Sequence, residues 1–135
     1  MSEILSMKSL RAAVANCSID TVIAAFPDMQ GRLMGKRFHA KFFVDNAWEE
    51  THCCNYLIAT DLEMETVDGY ESTSWSAGYG DYVMRPDLDT LCVLPWLEGT
   101  ALVLCDLRDH HTHELVPHAP RTVRKPQLNR AADLG

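Results

Sequence analysis

Residues 80–107 read GDYVMRPDLDTLCVLPWLEGTALVLCDL, and this stretch decides the fold class. Ala101–Leu107 is an apolar run of strand length, apolar enough to lie at the centre of a sheet. Upstream, Asp81–Met84 reads as a short strand that Pro86 stops. Thr90–Leu94 reads as another, stopped by Pro95.

Working outward toward the N-terminus, Thr21–Phe26 (TVIAAF) is a further short strand. Asp28, Gln30 and Gly31 supply turn chemistry, and Arg32–His39 returns as the second arm of a hairpin. Residues 40–48 read as one or two helical turns with Phe42, Phe43 and Trp48 as anchors, and residues 55–65 contain a plausible strand. Ahead of these, Ile4, Met7, Leu10 and Val14 recur at helical spacing, which predicts a helix over residues 3–16 with Ser2 as N-cap. Ser18–Asp20 is then a turn. Working outward toward the C-terminus, His110–Pro117 is a turn followed by a short extended piece. Pro120 opens a helix over residues 121–134, with Val123, Leu128, Ala131 and Ala132 along it and Pro126 early in it. Two terminal helices around a strand-rich middle predict an α+β fold: a mixed sheet of about four to six strands with Ala101–Leu107 near its centre.

One segment fits no period. Residues 66–80 read TVDGYESTSWSAGYG. Glycines and hydroxyl side chains among aromatics make this a long loop, and long loops in compact domains are often functional.

Composition narrows the classes. A chain of 135 residues with 47% hydrophobic and 23% charged residues suits one globular domain and argues against disorder along its length. The net charge of −7 is spread along the chain, and the basic residues form only two small groups, at Lys36, Arg37 and Lys41 and at Arg121, Arg124 and Lys125. That pattern excludes a nucleic-acid binder and describes a solvated surface. Five cysteines at irregular spacing do not form a secreted disulfide framework, so reduced thiols are expected. The N-terminus has neither a signal peptide nor a membrane span. The expected setting is the cytoplasm.

Other residues that attract a functional reading have plainer ones. His110, His111 and His113 lack zinc-site spacing and read as a solvated loop. His52, Cys53 and Cys54 read as packing at a strand edge. Arg37 reads as a solvated strand residue, and Trp96 as a core or interface anchor.

Three segments together resemble the N-terminal region of glutamine synthetases: IDTVIAAFPDMQGRLMGKR (residues 19–37), GDYVMRPDLDTLCVLPWLEGTALVLCD (80–106) and PRTVRKPQLNRAADLG (120–135). The PD-x-x-T-L-x-x-x-PW…TA-x-V-x-x-D pattern is the most specific part. The likeness extends over nearly the whole chain and is nearest the branch of γ-glutamyl-polyamine synthetases and related amide ligases. It implies a β-grasp fold, with residues 1–120 as the N-terminal domain and 121–135 as the start of a linker helix to a catalytic domain outside these residues. It also implies a ring-shaped homo-oligomer whose active sites lie between the N-terminal domain of one subunit and the catalytic domain of the next. ATP activates the γ-carboxylate of glutamate, and ammonia or another amine displaces phosphate. ATP and Mg²⁺ or Mn²⁺ belong to the full-length enzyme, and no cofactor is assigned to this domain.

Within the resemblance, an Asp-Gly pair opens the family's loop, an aromatic follows and a second Asp closes it. Asp68-Gly69, Trp75 and Asp81 match that order. Asp68 and Asp81 are therefore the catalytic candidates, as carboxylates that hold an ammonium group and accept its proton, and Trp75 is a substrate-binding candidate. The serine pattern after the Asp-Gly pair departs from the ammonia-specific enzymes, which leaves the amine open. Two readings of function follow: a piece of a glutamate–amine ligase, or an assembly domain of the same descent without the chemistry.

Overall fold

The computed structural model describes residues 4–135. Its elements, in chain order, are α1 (Met7–Ala15), β1 (Thr21–Pro27), β2 (Leu33–His39), α2 (Ala40–Phe42) running into a π-helical turn (Phe43–Ala47), β3 (Thr51–Cys54) and a 3₁₀ turn (Asn55–Ile58). After a long loop come β4 (Asp81–Val93), β5 (Thr100–Asp109) and α3 (Pro120–Asp133). The five strands form one mixed sheet in the order β2-β1-β5-β4-β3. Its centre is the parallel pair β1 and β5, in register from Thr21 opposite Thr100 to Ala25 opposite Leu104. A parallel pair needs a long connection between its strands, and here nearly every other element lies in that connection. The architecture is α+β and β-grasp-like, with β5 third of five strands as its sequence requires. No helix among the described residues is long and apolar enough to cross a membrane.

Two compact units divide the chain. The first contains the described residues up to Ala25 with Gly35–Thr51 and Arg85–Cys105. Its core is Leu10 of α1, Val22 and Ala24 of β1, Phe43 and Val44 of the π turn, Leu91 of β4, and Ala101 and Val103 of β5. Alternate residues of β5 are buried because successive strand side chains point to opposite faces. Each fully buried valine or leucine there contributes about 1.5–3 kcal/mol. The second unit contains Phe26–Met34, His52–Met84 and Asp106–Gly135. Its core is Phe26, Ile58, Val83, Met84, Leu107 and Val116.

Several expectations from the sequence need correction. Helix α1 starts at Met7, with Ser6 as N-cap, whose Oγ accepts the Ser9 N–H at 3.0 Å; Ser2 lies outside the described residues. Ile4 is 72% exposed and is not in the helix's buried stripe. It bridges Cys92 while the Leu5 N–H donates to the Leu91 carbonyl at 2.8 Å, so the chain runs extended before Ser6. Phe43 is buried, but Phe42 is exposed and stacks on Phe38 with centroids 5.9 Å apart. Trp48 is half-buried beneath the Arg11 guanidinium, 5.8 Å from its ring. Trp96 is 74% exposed on the β4–β5 connection and is no core anchor.

The strand expected within 55–65 lies at 51–54, because Asn55 turns its side chain onto backbone and ends the strand. Pro86 does not stop β4, which runs through it for 13 residues. Proline is tolerated in a strand where its missing N–H faces no partner, and β4 outruns the four residues of β3. Past Pro86, Thr90 Oγ1 donates to the Asp87 carbonyl at 2.7 Å and accepts the Leu104 N–H at 2.9 Å. A side chain thus stands in for one backbone rung. Pro126 lies in the interior of α3, beyond the first turn. No residue of α3 is buried, Val123, Leu128, Ala131 and Ala132 included, so water can reach the Thr122 carbonyl that the ring leaves without a donor.

Candidate functional site

The loop between the 3₁₀ turn and β4 is long in sequence but pinned at several points, all within the second unit. At its root, Thr60 bridges Thr66 and the Val67 N–H donates to the Ala59 carbonyl at 2.8 Å. In its middle, the buried Asn55 (8% exposed) accepts the Thr73 hydroxyl at 2.9 Å and the Gly80 N–H at 3.2 Å through one oxygen. Its own N–H donates to the Gly80 carbonyl at 2.8 Å. Tyr82, at the start of β4, donates its hydroxyl to Ser72 Oγ at 3.1 Å. Burial pushes the Tyr82 phenol above its ordinary pKa, more than the Ser72 bond pulls it down, so it remains a donor. Ser72 also meets His118 Nε2 at 3.4 Å, and the His118 ring lies 5.6 Å from that of Tyr70. Burial holds the His118 imidazole below its ordinary value.

Above these pins the chain makes a small reversal. Ser74 bridges Gly78 and its Oγ accepts the Ala77 N–H at 3.1 Å, which leaves Trp75 at the apex. Trp75 is 76% exposed. Its ring meets Tyr79 edge-on at 5.3 Å, and Tyr79 meets Tyr56 edge-on at 5.9 Å. Offset and edge-on aromatic pairs each add about 0.5–1.5 kcal/mol, enough to orient an otherwise solvated indole.

Asp81 is exposed at the first position of β4. Together with Tyr79, Tyr82, Asp109, His110 and His111 it lines an open hollow of about 490 Å³. The Asp109 carboxylate accepts the Thr112 and His111 backbone N–H groups, both at 2.8 Å, and these hold it below the usual carboxylate range. The His110 ring lies 5.3 Å from both the His52 and His111 rings. The hollow therefore offers carboxylates, imidazoles and aromatic faces, a set suited to a small cationic or amphoteric ligand. Among the described residues no group of three or more His, Cys, Asp or Glu side chains is arranged to hold a metal ion. The five cysteines keep their thiols. A hollow of about 550 Å³ in the first unit has mostly apolar walls (Val14, Ile19 and Val44 among them), and Lys41 on it is paired with Asp45 at 2.9 Å.

Of the residues singled out from the sequence, Asp81 and Trp75 are connected through Tyr79, which touches Trp75 and lines the hollow with Asp81. Asp68 is exposed just past the loop's root, ahead of Gly69 at φ +102°, and does not line that hollow. Sequence reading missed Asn55, Tyr82 and Asp109. A lone Asn after two cysteines carries no local signal, because its partners lie 18 and 25 residues away. His110 and His111 were legible only as loop residues; their place on the hollow depends on β5 ending beside the loop.

No family model matches the chain. It is 52% identical over 132 residues to the γ-glutamylethanolamide synthetase GlnA4 of Streptomyces coelicolor, covering 97% of this chain and 28% of that protein. It is 35% identical over 127 residues to a glutamate–isopropylamine ligase of a Pseudomonas species, covering 93% and 28%. It is 30% identical over 132 residues to lengsin of Canis lupus familiaris, covering 96% and 22%. Among solved structures, a GmaS–ADP complex superposes with a TM-score of 0.64 at 22% identity, over 98% of this chain and 26% of that one, a likeness of fold. The chain spans about a quarter of the length of the curated relatives it matches. It belongs to the glutamine synthetase family, and it corresponds to the N-terminal domain of that family's proteins.

Proposed function

We propose that this chain is the N-terminal domain of an ATP-dependent glutamate–amine ligase, and that its loop from Thr66 to Asp81 supplies amine-handling groups to an active site shared between subunits. The observation that carries this reading is the 52% identity to a γ-glutamylethanolamide synthetase over 97% of the chain. The likeness to a glutamate–isopropylamine ligase supports the same class. Both relatives' names place a small organic amine on glutamate, so the amine here is a short primary alkylamine or amino alcohol.

In this reading residues 121–135 begin the linker helix to a catalytic domain. The complete enzyme is a ring-shaped cytoplasmic homo-oligomer, and glutamate, ATP and Mg²⁺ or Mn²⁺ bind in its catalytic domain. ATP supplies the phosphoryl group that activates the γ-carboxylate; this chain's residues act on the amine. At neutral pH an alkylamine arrives as its ammonium ion and must lose a proton before it can attack. The carboxylates of Asp68 and Asp81 attract the ammonium form and accept that proton. The exposed Trp75 face packs on the alkyl part and attracts the cation before it is deprotonated. No metal-dependent step is assigned to residues of this domain.

The test is ADP release by the enzyme carrying this chain, with glutamate and ethanolamine, isopropylamine or ammonia in turn. Release that needs both glutamate and an amine, fastest with an organic amine, is expected. No glutamate-dependent ADP release with any amine overturns the reading.

A further inference from the structure

The β1–β2 turn does more than reverse the chain. Asp28 is 1% exposed. Its Oδ1 accepts the backbone N–H groups of Gln30 at 2.9 Å and Arg32 at 2.8 Å, and its Oδ2 accepts Arg32 Nε at 2.7 Å. This fixes the guanidinium in one plane, with Nη2 also donating to Gln30 Oε1 at 3.4 Å, and lets both far nitrogens reach a second segment. Nη1 donates to the Leu62 carbonyl and Nη2 to the Asp61 carbonyl, each at 2.8 Å. Beside them, Gln30 Nε2 donates to the Thr60 carbonyl at 2.9 Å. Two side chains of one turn therefore hold three consecutive carbonyls of another segment of the same unit.

That segment is the root of the long loop. Asp61 Oδ1 accepts the N–H groups of Glu63 at 3.0 Å and Glu65 at 2.9 Å, Thr60 bridges Thr66, and Asp68 follows two residues later. Apolar packing contributes little here, since Leu62, Met64 and Val67 are all exposed. The attachment is polar and directional, and a planar guanidinium with several donors in fixed directions sets position as a single ammonium cannot.

From this we infer that Gln30 and Arg32, braced by Asp28, are positioning residues: they fix the root of the Thr66–Asp81 loop and so set where Asp68 and Trp75 stand. The consequence for catalysis rests on the ligase reading above; the ordering of the loop does not.

The experiment has two arms. Hydrogen exchange is followed on the 135-residue chain for wild type, Arg32→Lys and Gln30→Ala. Amides of residues 61–69 are expected to exchange about tenfold faster in the variants, the scale of one lost hydrogen bond to a charged group, while amides of 101–107 keep their protection. Unchanged exchange at 61–69, or equal acceleration in both segments, overturns the clamp. In the complete enzyme, the KM for amine is expected to rise several-fold with the KM for ATP unchanged. Unchanged amine constants despite a loosened root overturn the positioning role. If wild-type enzyme makes no amide, the ligase reading fails, and the exchange data alone decide the clamp. If Arg32→Lys does not fold, Gln30→Ala carries both arms, since it removes one tie from an exposed side chain.

Discussion

Gly35 lies in β2 against its neighbour β1. A Cβ there would lie 2.1 Å from the Ala24 carbonyl oxygen and 2.7 Å from the Ala25 Cα. Both are backbone atoms, so relief requires the strands to separate. Gly35→Ala is expected to cost about 3 kcal/mol, the upper range for overpacking, and to lower Tm by roughly 10 °C. Thermal unfolding followed by circular dichroism measures it, and a Tm within 2–3 °C of wild type would show that β2 gives way easily. Asn55 is decisive in a different way: without its side chain, the Thr73 hydroxyl and the Gly80 N–H lose their acceptor. Asn55→Ala should cost about 2 kcal/mol and raise proteolytic cleavage within residues 66–80. The two residues also differ in legibility. Asp81 could be picked out because the PDLDTL run that begins five residues later anchors the resemblance there, whereas the role of Asn55 exists only once the loop has folded back on it.

At the scale of elements, α3 is attached by charge more than by packing. It buries no residue. Asp106 at the end of β5 accepts Arg121 Nε at 2.8 Å and Lys125 Nζ at 3.3 Å. Burial raises the Asp106 pKa, but the bonds and charges of Arg121, and then of Lys125, outweigh it and hold the carboxyl below its ordinary value. A carboxyl whose folded-state pKa is depressed adds stability above its unfolded value of about 3.9, and that stability is lost as pH falls through the folded value. Acidification below about pH 4 and down through the folded value should therefore release α3 before the sheet melts, and Asp106→Asn should release it at neutral pH. Exchange protection of residues 121–133 reports this; protection in α3 that persists to the pH of global unfolding contradicts it. The strands show where sequence reading stops. Apolar content alone placed β5 at the sheet's centre. Pro86 looked like a terminus because a proline's cost depends on whether its position in the ladder has a donor to lose, which only the neighbouring strands decide. Residues 55–65 looked as if they contained a strand because a short apolar stretch does not distinguish a strand from a tight helical turn, which is what Asn55–Ile58 forms.

At the scale of the whole molecule, a β-grasp-like sheet carries a long, pinned loop that presents acids and an exposed indole. In the ligase reading proposed above, ATP and the metal ions on which phosphoryl transfer depends bind in a catalytic domain. On that reading the 135-residue chain by itself is expected to release no phosphate from ATP; release that depends on added Mg²⁺ and survives repurification would place the active site within these residues. The central claim is that the Thr66–Asp81 loop handles the amine of a glutamate–amine ligase. The most direct measurement is steady-state kinetics of the complete enzyme with amine varied, comparing wild type with Asp68→Asn and Asp81→Asn, which keep size and remove charge. The predicted result is a loss of roughly 10²-fold in kcat/KM for the amine, the usual scale for a lost proton acceptor, with constants for ATP nearly unchanged. Wild-type amine constants in both variants would contradict the account and leave the loop a structural feature alone.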